Sequence, residues 1–326
     1  MRKVRLSAIQ PGGLQTPEQL NCLSEAFQPD VQAIMAGHAL PHLELTLSLL
    51  EEAAGEGCDL CLTSEDACQI SAYLISEPEL FNALTEQSAQ IAEARFSALA
   101  KKYDTHVAAC YFKRINGKNY NVLSIFDRQG ALSGMYRKTH LPPNEMWQVA
   151  AGEEINVIPL DFGTVGGAIC YDMMFPEMLS VLKMQGAELV LHPTAGYGWY
   201  DSIGEAALRT RANDNALHIL TAKNYHFLGA GRSGFVDHWG QCLADAGFYE
   251  NAVVRHTVDL DIPKTQPDWF YPTQMSGMAD VYARARLERR PDLYGPLCEP
   301  GPHMQPPDAE ARAQLIARIK SGECRW

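Results

Sequence analysis

Cys170 ends a short apolar run and precedes a helical pattern, a position suited to a reactive thiol. Residues 165–169 predict a buried strand, and Pro176 opens a helical pattern that reaches about Gln185. A thiol at such a junction lies near backbone N–H groups and the positive end of a helix, and both lower its pKa. Because the thiolate is the nucleophilic form, the position favours Cys170 as a nucleophile.

Two further segments offer groups that could work with this thiol. A cysteine alone is often only a small buried hydrophobe, and a single lysine or glutamate usually lies at the surface. Here Glu65 ends the apolar run Leu-Cys-Leu-Thr-Ser-Glu, and Lys138 stands in Tyr-Arg-Lys-Thr-His-Leu-Pro-Pro-Asn-Glu. Together the three side chains make a catalytic interpretation stronger than any of them does alone.

The order Glu65, Lys138, Cys170 resembles the nitrilase superfamily of carbon–nitrogen hydrolases. Glu145 falls where many members carry a second glutamate. The resemblance covers about residues 4–262 and implies a four-layer α-β-β-α sandwich, an α/β fold. The alternation of strand and helix patterns is compatible with that fold but would also suit a doubly wound sheet. Further matching blocks are residues 4–10, 209–215, 231–237, 258–261 and 290–294.

The resemblance implies hydrolysis of a non-peptide C–N bond through a thioester on Cys170, without a cofactor. Such a reaction needs a nucleophile, a proton carrier and a stabiliser of the oxyanion. Glu65 would take the thiol proton and return it to the leaving amine, which requires a dry site that keeps its pKa from falling too low. Lys138 and the backbone N–H of Tyr171 would face the oxyanion. Glu145 would orient Lys138 or the attacking water, or hold Lys138 by a salt bridge.

The chain departs from the family pattern in ways that bear on the substrate. Ser64 stands where members often have proline before the first glutamate. Met173 and Met174 occupy the region where relatives that bind acidic substrates often place arginine, so we expect a neutral or apolar acyl side. Tyr171 and Asp172 after the cysteine look more like the amidase and carbamoylase branches than like true nitrilases.

Four other residues are candidates for substrate binding. His192 ends a predicted strand near the expected mouth of the site, although a single histidine there is more often structural. Tyr197 and Trp199 lie in a Gly-rich loop and could line a pocket or simply pack. Tyr73 is the fourth candidate.

No metal site is expected. Cys58 and Cys61 form a C-x-x-C motif, but no second cysteine or histidine pair stands at zinc spacing.

Composition limits the partners. The 326 residues carry a net charge of −12, which argues against nucleic acid and against an anionic membrane surface. Nine cysteines are too sparse for a disulfide scaffold, and they favour a reducing compartment. The basic N-terminus is not followed by the apolar region of a signal peptide, and no run has the length of a membrane helix. We therefore expect a cytoplasmic protein.

The chain divides into a predicted hydrolase domain, 1–262, and a C-terminal extension, 263–326. The extension is rich in proline and arginine and is expected to pack on the domain or on a partner subunit of a homodimer or larger homo-oligomer. Residues 11–37 read as a loop-rich insertion, and a helix over 78–103 is expected to break near Leu84. No internal sequence repeat is visible.

Two other functions compete with amide or N-carbamoyl hydrolysis. A nitrilase would convert a nitrile to an acid through the same thiol adduct, and the catalytic residues do not separate the two. A catalytically inactive binding protein on the same fold is the alternative of a different class. The complete set of Glu65, Lys138 and Cys170 argues against it.

Overall fold

Two six-stranded β-sheets form the centre of the protein, and helices cover their outer faces. The chain therefore folds as the predicted four-layer α-β-β-α sandwich. A computed structural model describes residues 1–13, 20, 22, 30–195, 202–225, 232–262, 289–299, 308–321 and 323.

The elements are numbered in chain order. The strands are β1 (Lys3–Gln10), β2 (Leu60–Leu62), β3 (His106–Ile115), β4 (Lys118–Phe126), β5 (Leu132–Arg137), β6 (Val157–Leu160), β7 (Gly163–Gly167), β8 (Leu189–Thr194), β9 (His218–Lys223), β10 (Gly234–Val236), β11 (Cys242–Asp245) and β12 (Ala252–Asp259). The α-helices are α1 (Val31–Ile34), α2 (Leu40–Gly55), α3 (Pro78–Tyr103), α4 (Pro176–Met184), α5 (Ser202–Asp214) and α6 (Ala309–Lys320). A π-helical turn, Met35–Ala39, joins α1 to α2, and short 3₁₀ helices span Ile70–Tyr73, Cys170–Met174, Pro291–Leu293 and Gly295–Cys298.

The two sheets share one pattern of strand pairing. The first sheet has the order β12-β1-β2-β3-β4-β5 and the second has the order β6-β7-β8-β9-β10-β11. In both, the first pair is antiparallel, the next two are parallel and the last two are antiparallel. The structure thus contains an internal repetition that is not apparent in the sequence.

Two hydrophobic cores hold the layers together. One lies between the first sheet and helices α2 and α3, and the other fills the space between the sheets and beneath α4 and α5. Strand β3 contributes to both because successive side chains point to opposite faces. Val107 and Ala109 join the first core, whereas Ala108 and Cys110 join the second.

Helix α3 is continuous, so the predicted break near Leu84 is wrong. Pro78 begins the helix, where its missing N–H leaves no intrahelical bond unmade. Leu84 and Phe96 are fully buried on the same face, and this apolar stripe keeps the helix packed along its length. Asp104 ends it in a left-handed conformation, with φ of 50°.

The predicted insertion and extension are described in part. Residues 31–34 form α1, capped by the Asp30 carboxylate, so the loop-rich stretch ends earlier than predicted. In the extension, Arg312 of α6 donates to the carbonyl of Ile75, with Nε 3.0 Å from the oxygen, and pairs with Glu77. This helix therefore contacts the segment that precedes α3. Packing of the extension on a partner subunit stays a prediction.

Candidate active site

Glu65 follows β2 and lies in a buried position between the two sheets. Its Oε1 accepts hydrogen bonds from Asn121 Nδ2 at 2.8 Å and from Lys138 Nζ at 2.9 Å. Its Oε2 accepts one from the backbone N–H of Ala195, just after β8, at 2.8 Å. The residue is 4% exposed. These donors fix the orientation of the carboxylate in the absence of bulk water.

Ser64 and Asn224 hold the backbone at Glu65 in place. Ser64 donates through Oγ to Asn224 Oδ1 at 2.7 Å, and Asn224 Nδ2 donates to the Glu65 carbonyl at 2.8 Å. The serine that departs from the family pattern therefore replaces the rigidity of a proline with a hydrogen-bonded link to the second sheet.

Lys138 follows β5 and is completely buried. Its backbone N–H donates to the Asn121 carbonyl at 2.9 Å, which continues the pairing with β4. Its Nζ lies between two carboxylates, 2.9 Å from Glu65 Oε1 and 2.5 Å from Glu145 Oε1. A buried ammonium is tolerated only when it is paired in this way.

Glu145 approaches Lys138 from the loop that follows β5. Its N–H donates to the Pro142 carbonyl at 3.0 Å, and its own carbonyl accepts from Val149 at 2.9 Å. Its Oε2 is buried and has no hydrogen-bond partner among the described residues. One oxygen of Glu145 thus holds Lys138 and the other remains able to accept a hydrogen bond.

Cys170 lies at a sharp turn beyond the end of β7. Its φ is 45°, in the left-handed region that side chains other than glycine rarely adopt. A 3₁₀ turn, Cys170–Met174, follows, and Tyr171 lies in its first turn, where N–H groups lack intrahelical partners. The thiol lies close enough to Glu65, Lys138 and Thr194 for all three to act on its pKa. The structure therefore places the predicted nucleophile beside the predicted base.

The electrostatics of the thiol differ from the sequence-based expectation. Desolvation raises the pKa of Cys170 to about 11, and the negative charge of Glu65 adds to this, while Lys138 and Thr194 act in the opposite direction. The expected lowering of the thiol pKa is wrong because a single 3₁₀ turn offers too little positive potential to offset burial beside a carboxylate.

The two carboxylates are driven apart in pKa. Burial alone would raise the pKa of Glu65, but the charge and hydrogen bond of Lys138 outweigh it, so the pKa is lowered. Burial raises the pKa of Glu145 to about 7, despite the attraction of Lys138. The pKa of Lys138 is raised because its two carboxylates outweigh its burial. Near neutral pH the site therefore combines an ionised Glu65, a protonated thiol and a charged ammonium.

Asp172 is a site residue that sequence reasoning did not select. It is fully buried. Its Oδ2 accepts from the Ile169 N–H at 2.9 Å and from the Tyr136 hydroxyl at 2.8 Å. Its Oδ1 accepts from the His140 N–H at 2.9 Å. One carboxylate thus joins the cysteine turn to the chain on both sides of Lys138, and an aspartate soon after a strand end is a residue type that caps turns.

His192 contacts the backbone of the turn at Cys170. Its Nδ1 lies 2.9 Å from Thr221 Oγ1 and its Nε2 lies 3.4 Å from the Cys170 carbonyl oxygen. Burial lowers the pKa of His192 to about 4, so the imidazole is neutral. The structure thus places this predicted substrate-binding residue against the backbone of Cys170.

The other predicted substrate-binding residues differ in how far they are buried. Met173 is 5% exposed and belongs to the core between the sheets, whereas Met174 is 46% exposed. Tyr73 is buried in the core next to α2, with its ring 5.6 Å from that of His38, and is not among the hydrogen-bond partners of the carboxylates. Tyr197 and Trp199 lie outside the described residues.

Within the part of the chain that the structure describes, no group of three or more His, Cys, Asp or Glu side chains could hold a metal ion. In that same part, the helices are too short or too polar to cross a membrane.

Comparison with known proteins identifies the family. The family model "Carbon-nitrogen hydrolase" matches residues 31–264. A Pseudomonas protegens protein named "Hydrolase in pqqF 5'region" is 31% identical over 259 residues, covering 77% of this chain and 85% of that protein. The chain therefore belongs to the carbon–nitrogen hydrolase family, as predicted, and is an enzyme of that family.

Two further matches extend this assignment. Omega-amidase NIT2 of Xenopus tropicalis is 27% identical over 263 residues, covering 72% of this chain and 89% of that protein. A variant of the amidase from Nesterenkonia sp. AN1, with an acetamide moiety added covalently to its active-site cysteine, aligns with a TM-score of 0.67 and 19% identity. That alignment covers 90% of this chain and 97% of the amidase, and it shows a shared fold.

Proposed function

We propose that the protein is a cysteine-dependent amidohydrolase that cleaves a non-peptide C–N bond in a small amide or N-carbamoyl compound. The observation that carries the proposal is the buried cluster of Glu145, Lys138 and Glu65, whose charges act on the pKa of the nearby Cys170 thiol where the two sheets face each other. Two carboxylates and an ammonium enclosed in a protein interior are costly to maintain. A catalytic site gives a reason to maintain them.

The first half of the proposed reaction forms a thioester. Glu65 accepts the thiol proton while Cys170 Sγ attacks the carbonyl carbon, so the high thiol pKa is overcome only as the C–S bond forms. Lys138 and the N–H of Tyr171 stabilise the oxyanion, and one such donor contributes about 3 kcal/mol. Glu65 then gives its proton to the leaving nitrogen, the C–N bond breaks, and ammonia or an amine departs.

The second half of the proposed reaction hydrolyses the thioester. Water attacks the acyl carbon while Glu65, ionised again, accepts one of its protons. The proton then returns to the sulfur, and the acid leaves. Glu145 is suited to orient this water or the substrate amide, because its Oε2 has an unused acceptor position.

The substrate we propose has a neutral or apolar acyl side. Met174 is the exposed residue of the pair that replaces arginine, whereas Met173 is enclosed in the core. An anionic group beside Met174 would lose hydration, and the methionine side chain offers no charge to pair with it. The name omega-amidase carried by one relative fits an amide substrate.

A comparison of substrates tests this assignment. Simple aliphatic and aromatic amides should exceed N-carbamoyl amino acids of similar size in kcat/KM. Ammonia release from amides, N-carbamoyl compounds and nitriles would be followed in parallel. A tenfold preference for N-carbamoyl amino acids would contradict the interpretation of the methionine pair, and turnover of nitriles alone would favour a nitrilase.

The role of Cys170 is tested by replacement. Cys170→Ala should abolish turnover, by ~10⁴-fold or more, because covalent catalysis is lost. Circular dichroism would verify that the variant is folded. With a poor substrate, intact-mass spectrometry of the unaltered enzyme should detect an acyl adduct. Unchanged turnover in the variant would refute the proposal.

We also propose a cytoplasmic homo-oligomer, either a dimer or a larger assembly. The eight cysteines that the structure describes are free thiols, which suits a reducing compartment. The resemblance to the nitrilase superfamily supports assembly. Light scattering at micromolar concentration should give at least twice the mass of one chain, and a monomeric mass would contradict the proposal.

A further inference from the structure

We propose that Cys58 and Cys61 are an oxidisable dithiol that closes reversibly to a disulfide. The pair belongs to the C-x-x-C motif and plays no part in the hydrolysis proposed above. It lies where the chain leaves α2 and enters β2, the strand that leads to Glu65.

The backbone between α2 and β2 brings the two sulfur atoms together. Gly57 adopts φ of 79°, and its N–H donates to the Ala54 carbonyl at 2.8 Å, so the chain reverses before Cys58. The two Sγ atoms are 2.7 Å apart. A disulfide bond is about 2.05 Å long, so closure requires only a small approach of the sulfurs.

The surroundings of the pair keep it in place. Cys61 is completely buried and its backbone pairs with Ser7 of β1 and Val107 of β3. Cys58 is 7% exposed, and its Sγ lies 3.6 Å from Thr105 Oγ1. Because β2 is held on both sides, the two thiols cannot easily separate.

The two thiols differ in pKa, as expected for a dithiol in which one cysteine attacks and the other resolves. The pKa of Cys58 is lowered, chiefly by its hydrogen bond with Cys61 and also by Thr105 and Ser7. The pKa of Cys61 is raised because it shares its proton with Cys58 and is buried. Cys58 is also the more exposed of the two, at 7% against 0% for Cys61, so it is the thiol that attacks an oxidant, and Cys61 resolves the product.

The proposed oxidant of the two thiols is a peroxide, with hydrogen peroxide as the simplest example. The Cys58 thiol loses its proton and its sulfur attacks one peroxide oxygen, so that the O–O bond breaks and a sulfenic acid forms. The leaving hydroxide takes up the proton that the thiol released and departs as water. Cys61 then attacks the Cys58 sulfur, the S–O bond breaks, and a second water leaves with the Cys61 proton. In total the two thiols lose two hydrogen atoms and two electrons pass to peroxide.

Cleavage after glutamate isolates the pair for measurement. Cleavage after Glu56 and after Glu65 releases residues 57–65, Gly-Cys-Asp-Leu-Cys-Leu-Thr-Ser-Glu, which contain no other cysteine. Full-length Cys170→Ala protein would be used so that the nucleophile cannot exchange with the pair. It would be treated with hydrogen peroxide, alkylated with N-ethylmaleimide under denaturing conditions, digested with a glutamate-specific protease and analysed by mass spectrometry.

The expected product is peptide 57–65 lighter by two hydrogens, without alkyl groups, and alkylated at both cysteines after dithiothreitol treatment. Exposed Cys242 and Cys298 report that the oxidant has acted, and buried Cys68 reports that the protein stayed folded. In the matched Cys58→Ser variant, Cys61 should remain a thiol that alkylates after denaturation.

Two outcomes would overturn the proposal. One is full alkylation of both cysteines in peptide 57–65 while Cys242 and Cys298 are oxidised. The other is oxidation of Cys58 to a sulfinic or sulfonic acid without an internal disulfide, since a resolving thiol in contact should prevent it. If Cys58→Ser fails to fold, peptide 57–65 of the parent protein decides the question alone.

Discussion

The two sheets have the same order of strand pairing but carry different chemical groups. The first sheet brings the charges, because Glu65 follows β2 and Lys138 follows β5. The second sheet brings the thiol, because Cys170 follows β7. The two sheets therefore repeat the order of strand pairing but not the side chains at the strand ends. The candidate site forms where the two sheets face each other.

The sheets also differ in how they fix their groups. On the first sheet, side-chain hydrogen bonds do so: Glu65 has donors on both oxygens and Lys138 lies between two carboxylates. On the second sheet, the backbone does so, through the left-handed turn at Cys170. The comparison teaches that Glu65 and Lys138 are held by polar side-chain partners, whereas Cys170 is held by the conformation of its turn, which the Asp172 carboxylate supports.

Replacing the charged groups of the first sheet should also reduce the rate strongly. Glu65→Gln and Lys138→Ala should each lose at least ~100-fold in rate, because each removes a proton carrier or an oxyanion donor. The double variant should lose much less than the product of the two, since the groups act as a unit. Rates would be measured with a substrate for which chemistry is limiting. Near-normal activity in either single variant would refute its assigned role.

Asp172 tests whether the two sheets must be joined. Asp172→Asn keeps one of the two acceptor oxygens that serve Ile169, Tyr136 and His140 and replaces the other with an NH2 donor. It should destabilise the protein by about 1–3 kcal/mol, with a loss of ~10-fold or more in kcat. Tyr136→Phe is the matched control, because it removes one hydrogen bond to the same carboxylate, together with the contacts of the hydroxyl with Thr139, and leaves both Asp172 oxygens in place. Urea unfolding and kcat would be measured for both. An Asp172→Asn variant no worse than Tyr136→Phe would show that the link is dispensable.

The smallest expected effect concerns Glu145 and pH. Its pKa of about 7 in the folded protein lies above the usual value of 4.5, so folding favours its protonated form. That stabilisation is complete below about pH 4.5 and is lost as pH rises to about 7. Relative to Glu145→Gln, the native chain should thus lose about 1–3 kcal/mol between pH 5 and pH 8.

Urea unfolding of both proteins at fixed protein concentration would measure this difference. Other buried groups, such as Asp66, whose pKa is raised to about 6 by burial, titrate in both proteins and cancel. A stability difference that does not change with pH would mean that Glu145 is ionised throughout the range.

The sequence, through its resemblance to a known family, was sufficient for the family and the sandwich. It also selected Glu65, Lys138, Glu145 and Cys170, which the structure brings together, and their catalytic roles stay predictions. A polar residue at the end of an apolar strand is a local pattern, so it can be recognised from the sequence alone. The hydrogen-bond partners were not, because Asn121, Asp172 and Asn224 become important only when distant segments meet. The thiol pKa was mispredicted for a similar reason: the helix end is visible in the sequence, whereas the desolvation and the charge of Glu65 depend on tertiary packing.

The left-handed turn at Cys170 has a consequence for the choice of an inactive variant. A side chain in that conformation costs about 1 kcal/mol compared with glycine. Cys170→Gly would release this strain, whereas Cys170→Ala would retain it. At this position the residue proposed for reactivity is not the one that gives the greatest stability. We expect Cys170→Gly to lack activity but to be more stable than Cys170→Ala, which would suit it to trapping intact substrate in crystals.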